Sequence, residues 1–121
     1  MAPAAIPDST FRLGILGPFT GPTESTGAEF KGAATMALDT LDWQIGDYKI
    51  DAVWIDSQSD PDTAVEAYEQ AIVEDGIQAA ILNWHSSVAV ACMDVAAHYQ
   101  IPHIFPLWSY GRGQRDFPLQ P

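Results

Sequence analysis

The junction Asn83-Trp84-His85-Ser86-Ser87 sets an imidazole and two hydroxyls between the apolar run Ile81-Leu82 and a helical apolar pattern that opens at Val88. Such a set suits a nucleophile with its base, a metal ligand, a helix cap or half of a ligand site. Neighbouring side chains diverge, and no G-x-S-x-G elbow occurs, so the chain does not read as a serine hydrolase. His85, His98 and His103 form no i, i+4 pair of the kind that holds zinc on one helix face. Asp56, Asp60 and Asp62 imitate the start of a calcium loop, but its sixth position is Pro61 where glycine is needed and its twelfth is Ala67 where glutamate is needed. Neither G-x-G-x-x-G nor G-x-x-x-x-G-K-[ST] is present, and Gly111 and Gly113 lack the strand and helix that a phosphate loop requires. The reading is therefore not an enzyme, with no catalytic residue, no metal and no cofactor. A cap at Ser86 or Ser87, or a ligand site there, remains.

Composition narrows the partners. A chain of 121 residues is one domain's worth, with Met1–Thr10 read as a disordered or extended lead and 11–121 as the folded unit. Sixteen acidic against five basic side chains give a net charge of −11, which repels a phosphate backbone and excludes nucleic acid. No apolar run approaches the ~20 residues of a membrane helix, and MAPAAIPDST has neither the basic start nor the apolar core of a signal peptide. Cys92 is alone, so no internal disulfide forms.

Positioning of the junction follows from periodicity. Phe11–Leu16, Tyr48–Ile55, Ala79–Leu82 and Ile101–Phe105 read as strands. Between them Phe30, Ala34, Ala37, Leu38 and Leu41 form one helical stripe within Glu29–Leu41. Val65, Tyr68 and Ile72 form a second, started by Ser59 or Asp60 as cap with Pro61 following and stopped by Gly76. Val88, Ala91, Cys92, Val95, Ala96 and Tyr99 form a third. The order β-α-β-α-β-α-β predicts an α/β fold, an open parallel sheet with helices on both faces in a Rossmann-like three-layer arrangement. Ligands of such sheets bind beyond the carboxyl ends of the strands, where GPFTGPTEST, DSQSD, NWHSS and PLWSY lie.

Three runs in order, LGILGPFTGPTESTGAEFKGAATMALDTL, IDSQSDPDTAVEAYEQAIVEDGIQAAILNWHSS and IPHIFPLWS, resemble the amino-terminal lobe of the type I periplasmic solute-binding proteins, in the group serving ABC importers of branched-chain amino acids, amides and urea. The likeness extends from Phe11 to about Tyr110 and is carried by the spacing of Gly17, Thr20, Gly21, Gly27 and Gly32, by Asp56, Asp60 and Pro61, and by the break at Gly76-Ile77. It implies an exported, periplasmic or extracellular receptor whose partners are a small solute (an amino acid, amide or aromatic acid) and, in the full-length protein, an ABC permease. By the same resemblance Ser86 meets the ligand carboxylate, Ser109 touches carboxylate and amine, Leu107 offers a backbone carbonyl to the amine, and Thr26 lines the pocket wall. Ser87 shares the helix N-terminus, whose N–H groups and dipole favour an anion.

The sequence departs from that pattern in three places. Some relatives join the loops after the second and third strands by a disulfide, at positions that read Ser59 and His85 here. Trp84 and Trp108 replace small residues, and either narrow the pocket to a small amide, stack on an aromatic ligand, or pack into the sheet edge. The sequence does not continue into the carboxyl-terminal lobe of the family, so the resemblance implies either a fragment or one half of a cleaved, longer receptor. Self-association as a two-fold homodimer is expected, with Tyr68, Val73, Met93 and Tyr99 as contact candidates. Two other readings share the alternation: a cytoplasmic amide-sensing regulator of the same fold, and a small flavodoxin-like or response-regulator domain, which GPFTG does not favour because it lacks an acidic pair for magnesium.

Overall fold

The computed structural model describes residues 9–83 and 85–106. Residues 1–8 of the Met1–Thr10 lead, Trp84, and Leu107, Trp108 and Ser109 lie outside the described residues, while Thr10 belongs to the first strand. The elements are β1 (Thr10–Gly17), α1 (Glu24–Thr40), β2 (Gln44–Ile45), β3 (Tyr48–Asp56), α2 (Pro61–Val73), β4 (Ala79–Leu82), α3 (Ser86–Tyr99) and β5 (His103–Ile104). They form a five-stranded sheet in the order β2-β3-β1-β4-β5. No helix among the described residues is long and apolar enough to cross a membrane.

Four strands are parallel, as expected, but the sheet is mixed because β2 pairs antiparallel with β3. After α1 the chain reverses through Asp42 and Trp43, both at positive φ, and then turns at Gly46 with φ +58°. A return this short permits only an antiparallel partner. Two residues are too few to show an alternation, so β2 left no pattern to read.

Side-chain alternation along β1 divides the core. Leu16 points to one face, where it packs with Ile55, Tyr68, Leu82, Val88 and Cys92 under α2 and α3. Ile15 points to the other, against Leu38 and Ile50, with Phe30 and Trp54 at the margin. Helices therefore cover both faces. On the α1 side β4 and β5 are left uncovered among the described residues, so Ala37 and Leu41 are not buried as their stripe predicts. They border an apolar cavity of about 410 Å³ with Leu13, Ile81 and Ile104.

Several boundaries differ from the sequence reading. Helix α1 starts five residues before Glu29, inside the segment whose glycine and proline density reads as a turn. Asp60, and not Ser59, caps α2, its carboxylate accepting from the Thr63 N–H at 2.8 Å. Neither Ser86 nor Ser87 is a cap: His85 holds that place with extended backbone, and the two serines are the first helical residues of α3. The fourth strand shrinks to His103–Ile104 because the Ile101 N–H is taken by Ala96 at the end of α3 and Pro102 has none to give. Tyr68 is fully buried, which removes it as a surface contact. The histidine at β5 supplies its neighbour: the Tyr68 hydroxyl lies 3.4 Å from His103 Nδ1.

Candidate functional site: the carboxyl edge of the sheet

Parallel β3, β1 and β4 deliver three loops to one edge, and specific bonds bind the loops together there. The Ser57 N–H donates to Gly17 O at 2.9 Å and the Asn83 N–H to Leu16 O at 3.0 Å, so the loops after β3 and β4 both leave from the end of β1. Asp56, the last residue of β3, holds the loop after β1. Its carboxylate accepts from the Phe19 N–H at 2.9 Å, the Thr20 N–H at 3.2 Å and the Thr20 hydroxyl, and also from the Gln58 N–H at 3.0 Å. Partial burial works to raise its carboxyl, but the Thr20 hydroxyl and the N–H groups of Gln58, Thr20 and Phe19 outweigh it and hold the group below 3.8. The acidic residue that imitated a calcium ligand is thus occupied as a loop clamp.

A second junction is made by side chains alone. Thr23 Oγ1 lies 2.6 Å from Ser59 Oγ and 3.3 Å from His85 Nε2. Thr23 ends the loop after β1, Ser59 belongs to the loop after β3, and His85 ends the loop after β4. Ser59 and the preceding Gln58 reach this position with φ of +60° and +52°, a left-handed backbone that costs a non-glycine residue on the order of 1 kcal/mol. Gly21, at φ +93°, passes so close to Gln58 that a Cβ would stand 3.1 Å from its carbonyl oxygen.

Helices α1 and α3 both begin at this edge. Thr26, half-buried, lies three residues beyond Thr23 in the first turns of α1, while Ser86, half-buried, and Ser87, exposed, open α3. The dipole of α3 adds positive potential at this end, so the arrangement suits an anion. Of the residues expected at the site, the structure brings the Thr26 and Ser86-Ser87 helix ends to one edge through the contact of Thr23 with His85. Trp84, Leu107, Trp108 and Ser109 fall outside the described residues. Thr20, Thr23, Asp56, Ser59 and His85 are edge residues to which the sequence reading gave no ligand contact, although the resemblance already paired the positions of Ser59 and His85. A cavity of about 430 Å³ reaches this edge at Asp56 and Gln58 and runs along α2 past Thr63, Glu66 and Gln70, while the apolar cavity of about 410 Å³ lies beside α1.

The profile of the periplasmic binding protein family matches residues 10–118. The chain belongs to the periplasmic binding protein family. No curated protein matches it. Among solved structures, it is similar to an ABC-transporter solute-binding protein from Rhodopseudomonas palustris BisB5 in complex with 3,4-dihydroxybenzoic acid, with TM-score 0.76 and 23% identity, covering 81% of this chain and 27% of that one. A branched-chain amino-acid transporter substrate-binding protein from Streptococcus pneumoniae in complex with isoleucine gives TM-score 0.80 at 18% identity, covering 88% and 31%. A solute-binding protein from R. palustris in complex with benzoate gives 0.73 at 26%, covering 80% and 27%. The chain thus spans about 27–31% of the length of these structures. In this periplasmic binding protein chain, the described edge is the part of the fold that carries the loops just built.

Proposed function

We propose that the chain is the amino-terminal lobe of a non-catalytic solute receptor for an ABC importer, working outside the cytoplasmic membrane and binding a small carboxylate. The observation that carries this reading is the convergence of three loops and the N-terminus of α3 on the carboxyl edge of the sheet. The relatives named above hold 3,4-dihydroxybenzoic acid, isoleucine and benzoate, and the chemistry common to these is a carboxylate. An N-terminal helix turn bearing Ser86 and Ser87 is suited to it. Thr26, Trp84, Leu107, Trp108 and Ser109 complete the proposed site, with a second lobe opposite that closes on the solute, a permease as the receiving partner, and a homodimer that uses the half-buried Val73, Met93 and Tyr99.

Isothermal titration of the chain with benzoate, 3,4-dihydroxybenzoate and isoleucine tests the solute assignment. The expected result is weak, saturable binding of at least one of them, reduced by about 1–3 kcal/mol in Ser86→Ala because a hydrogen bond to a charged group is lost. Unchanged binding in Ser86→Ala and in Ser87→Ala would remove the carboxylate from α3.

A further inference from the structure

The residues at the caps of α1 and α3 do something other than cap. Thr23 occupies the N-cap of α1, where a threonine hydroxyl ordinarily accepts from an N–H of the first turn, yet it makes no such bond. His85 occupies the N-cap of α3 and its side chain makes none either. The two side chains meet each other, 3.3 Å apart, and the Thr23 hydroxyl also meets Ser59 at 2.6 Å. By contrast Asp60, in the same cluster of loops, caps α2 in the usual way. Local stability would favour a threonine that caps its own helix, and an unstrained backbone at Ser59. Both are forgone at one oxygen atom.

We propose that Thr23 is a positioning residue for the solute site, a hydroxyl hub that fixes the His85 ring, and through it the first turn of α3, against α1 and the loop after β3. A threonine hydroxyl has one proton to donate and lone pairs to accept, so it serves both neighbours at once. One order runs from the Ser59 hydroxyl to Thr23 and from Thr23 to an unprotonated Nε2; the reverse runs from an Nε2–H to Thr23 and on to Ser59. The two orders correspond to opposite tautomers, and in both of them Nε2 is engaged by Thr23. Its location matters for binding because His85 immediately precedes Ser86 and Ser87. The purpose of the hub rests on the carboxylate reading above, whereas its existence is tested independently of it.

The test uses the 121-residue chain labelled with ¹⁵N and the variants Thr23→Val, Thr23→Ser and Ser59→Ala. Thr23→Val keeps the shape and removes the hydroxyl. It is expected to change the ¹⁵N shifts and tautomer pattern of the His85 ring and to speed exchange of the Ala89 amide, which donates to the His85 carbonyl, about fivefold, the loss of one ordinary hydrogen bond. Thr23→Ser, which keeps the hydroxyl, is expected to restore the ring pattern. Ser59→Ala removes one arm only, and it decides the matter should Thr23→Val fail to fold: a changed His85 ring supports the hub. Wild-type His85 ring signals in Thr23→Val, or in Ser59→Ala where that variant must stand in, overturn it. Benzoate titrated into the same samples separates the two claims. Weaker benzoate binding in Thr23→Val at unchanged melting temperature, restored in Thr23→Ser, assigns the hub to the site; equal binding in all variants overturns that assignment. Absence of benzoate and isoleucine binding in the wild type removes the carboxylate reading and with it the hub's role in binding, while the ring signals still decide whether the hub holds α3.

Discussion

A Cβ on Gly27 would stand 2.0 Å from the carbonyl oxygen of Pro18 and 3.0 Å from Phe19 Cα, both backbone atoms. In an exposed helix a glycine-to-alanine change gains about 1 kcal/mol. Here the sign reverses, because α1 must move off the loop after β1, and Gly27→Ala is expected to lose about 1–3 kcal/mol in urea unfolding. His103 supplies a pH-dependent counterpart. Burial depresses its pKa from the usual 6.5, so the unfolded chain takes up the proton at higher pH than the folded one. The stability linked to this histidine is present above about 6.5 and declines as pH falls toward its folded value. Unfolding midpoints compared at neutral and mildly acidic pH should fall on acidification, and His103→Gln should flatten the difference. Cys92, which burial pushes up to about 12, is a core thiol in the same layer and not a nucleophile at neutral pH.

Among the elements, Asp56 does most to set the wall of the site, since it joins the end of β3 to the loop after β1. Asp56→Ala releases the Phe19 and Thr20 N–H groups together, and a cost of about 2–3 kcal/mol in unfolding is expected, with faster exchange at those two amides than at Asn83. Such elements were legible where periodicity was long. The runs around Ile15, Trp54 and Ile81, and the stripe through Val88, Cys92 and Val95, each mark an element because burial repeats along the chain. The start of α1 was hidden by Gly21 and Pro22, whose turn signal continues into residues that the structure makes helical. The geometry of the candidate site was legible only in part. Ser86 and Ser87 stand at a helix start that the sequence announces, but Thr23, Ser59 and His85 meet across 36 and 62 residues, a separation no local pattern encodes. The capping preference itself misled there, because it assigned to Ser86 or Ser87 a position that His85 fills while its side chain serves Thr23.

At the scale of the whole molecule, the chain spans about 27–31% of the length of the solved structures it resembles. Small-molecule sites bury most of their ligand, whereas under the proposed reading the carboxyl edge meets a solute from one side. Binding by this chain alone is therefore expected to be weak, with a Kd on the order of 1 mM, corresponding to about 4 kcal/mol. That weakness suits a residue-resolved method. The direct test is a titration of the ¹⁵N-labelled chain with benzoate, followed by amide shifts, with benzyl alcohol as the uncharged control. The account predicts saturable shifts centred on Ser86, Ser87 and Val88, reaching Thr26 across the Thr23–His85 contact, and none of comparable size with the alcohol. Equal shifts with both compounds, shifts confined to the apolar cavity beside α1, or no shift at benzoate concentrations on the order of 10 mM would contradict it.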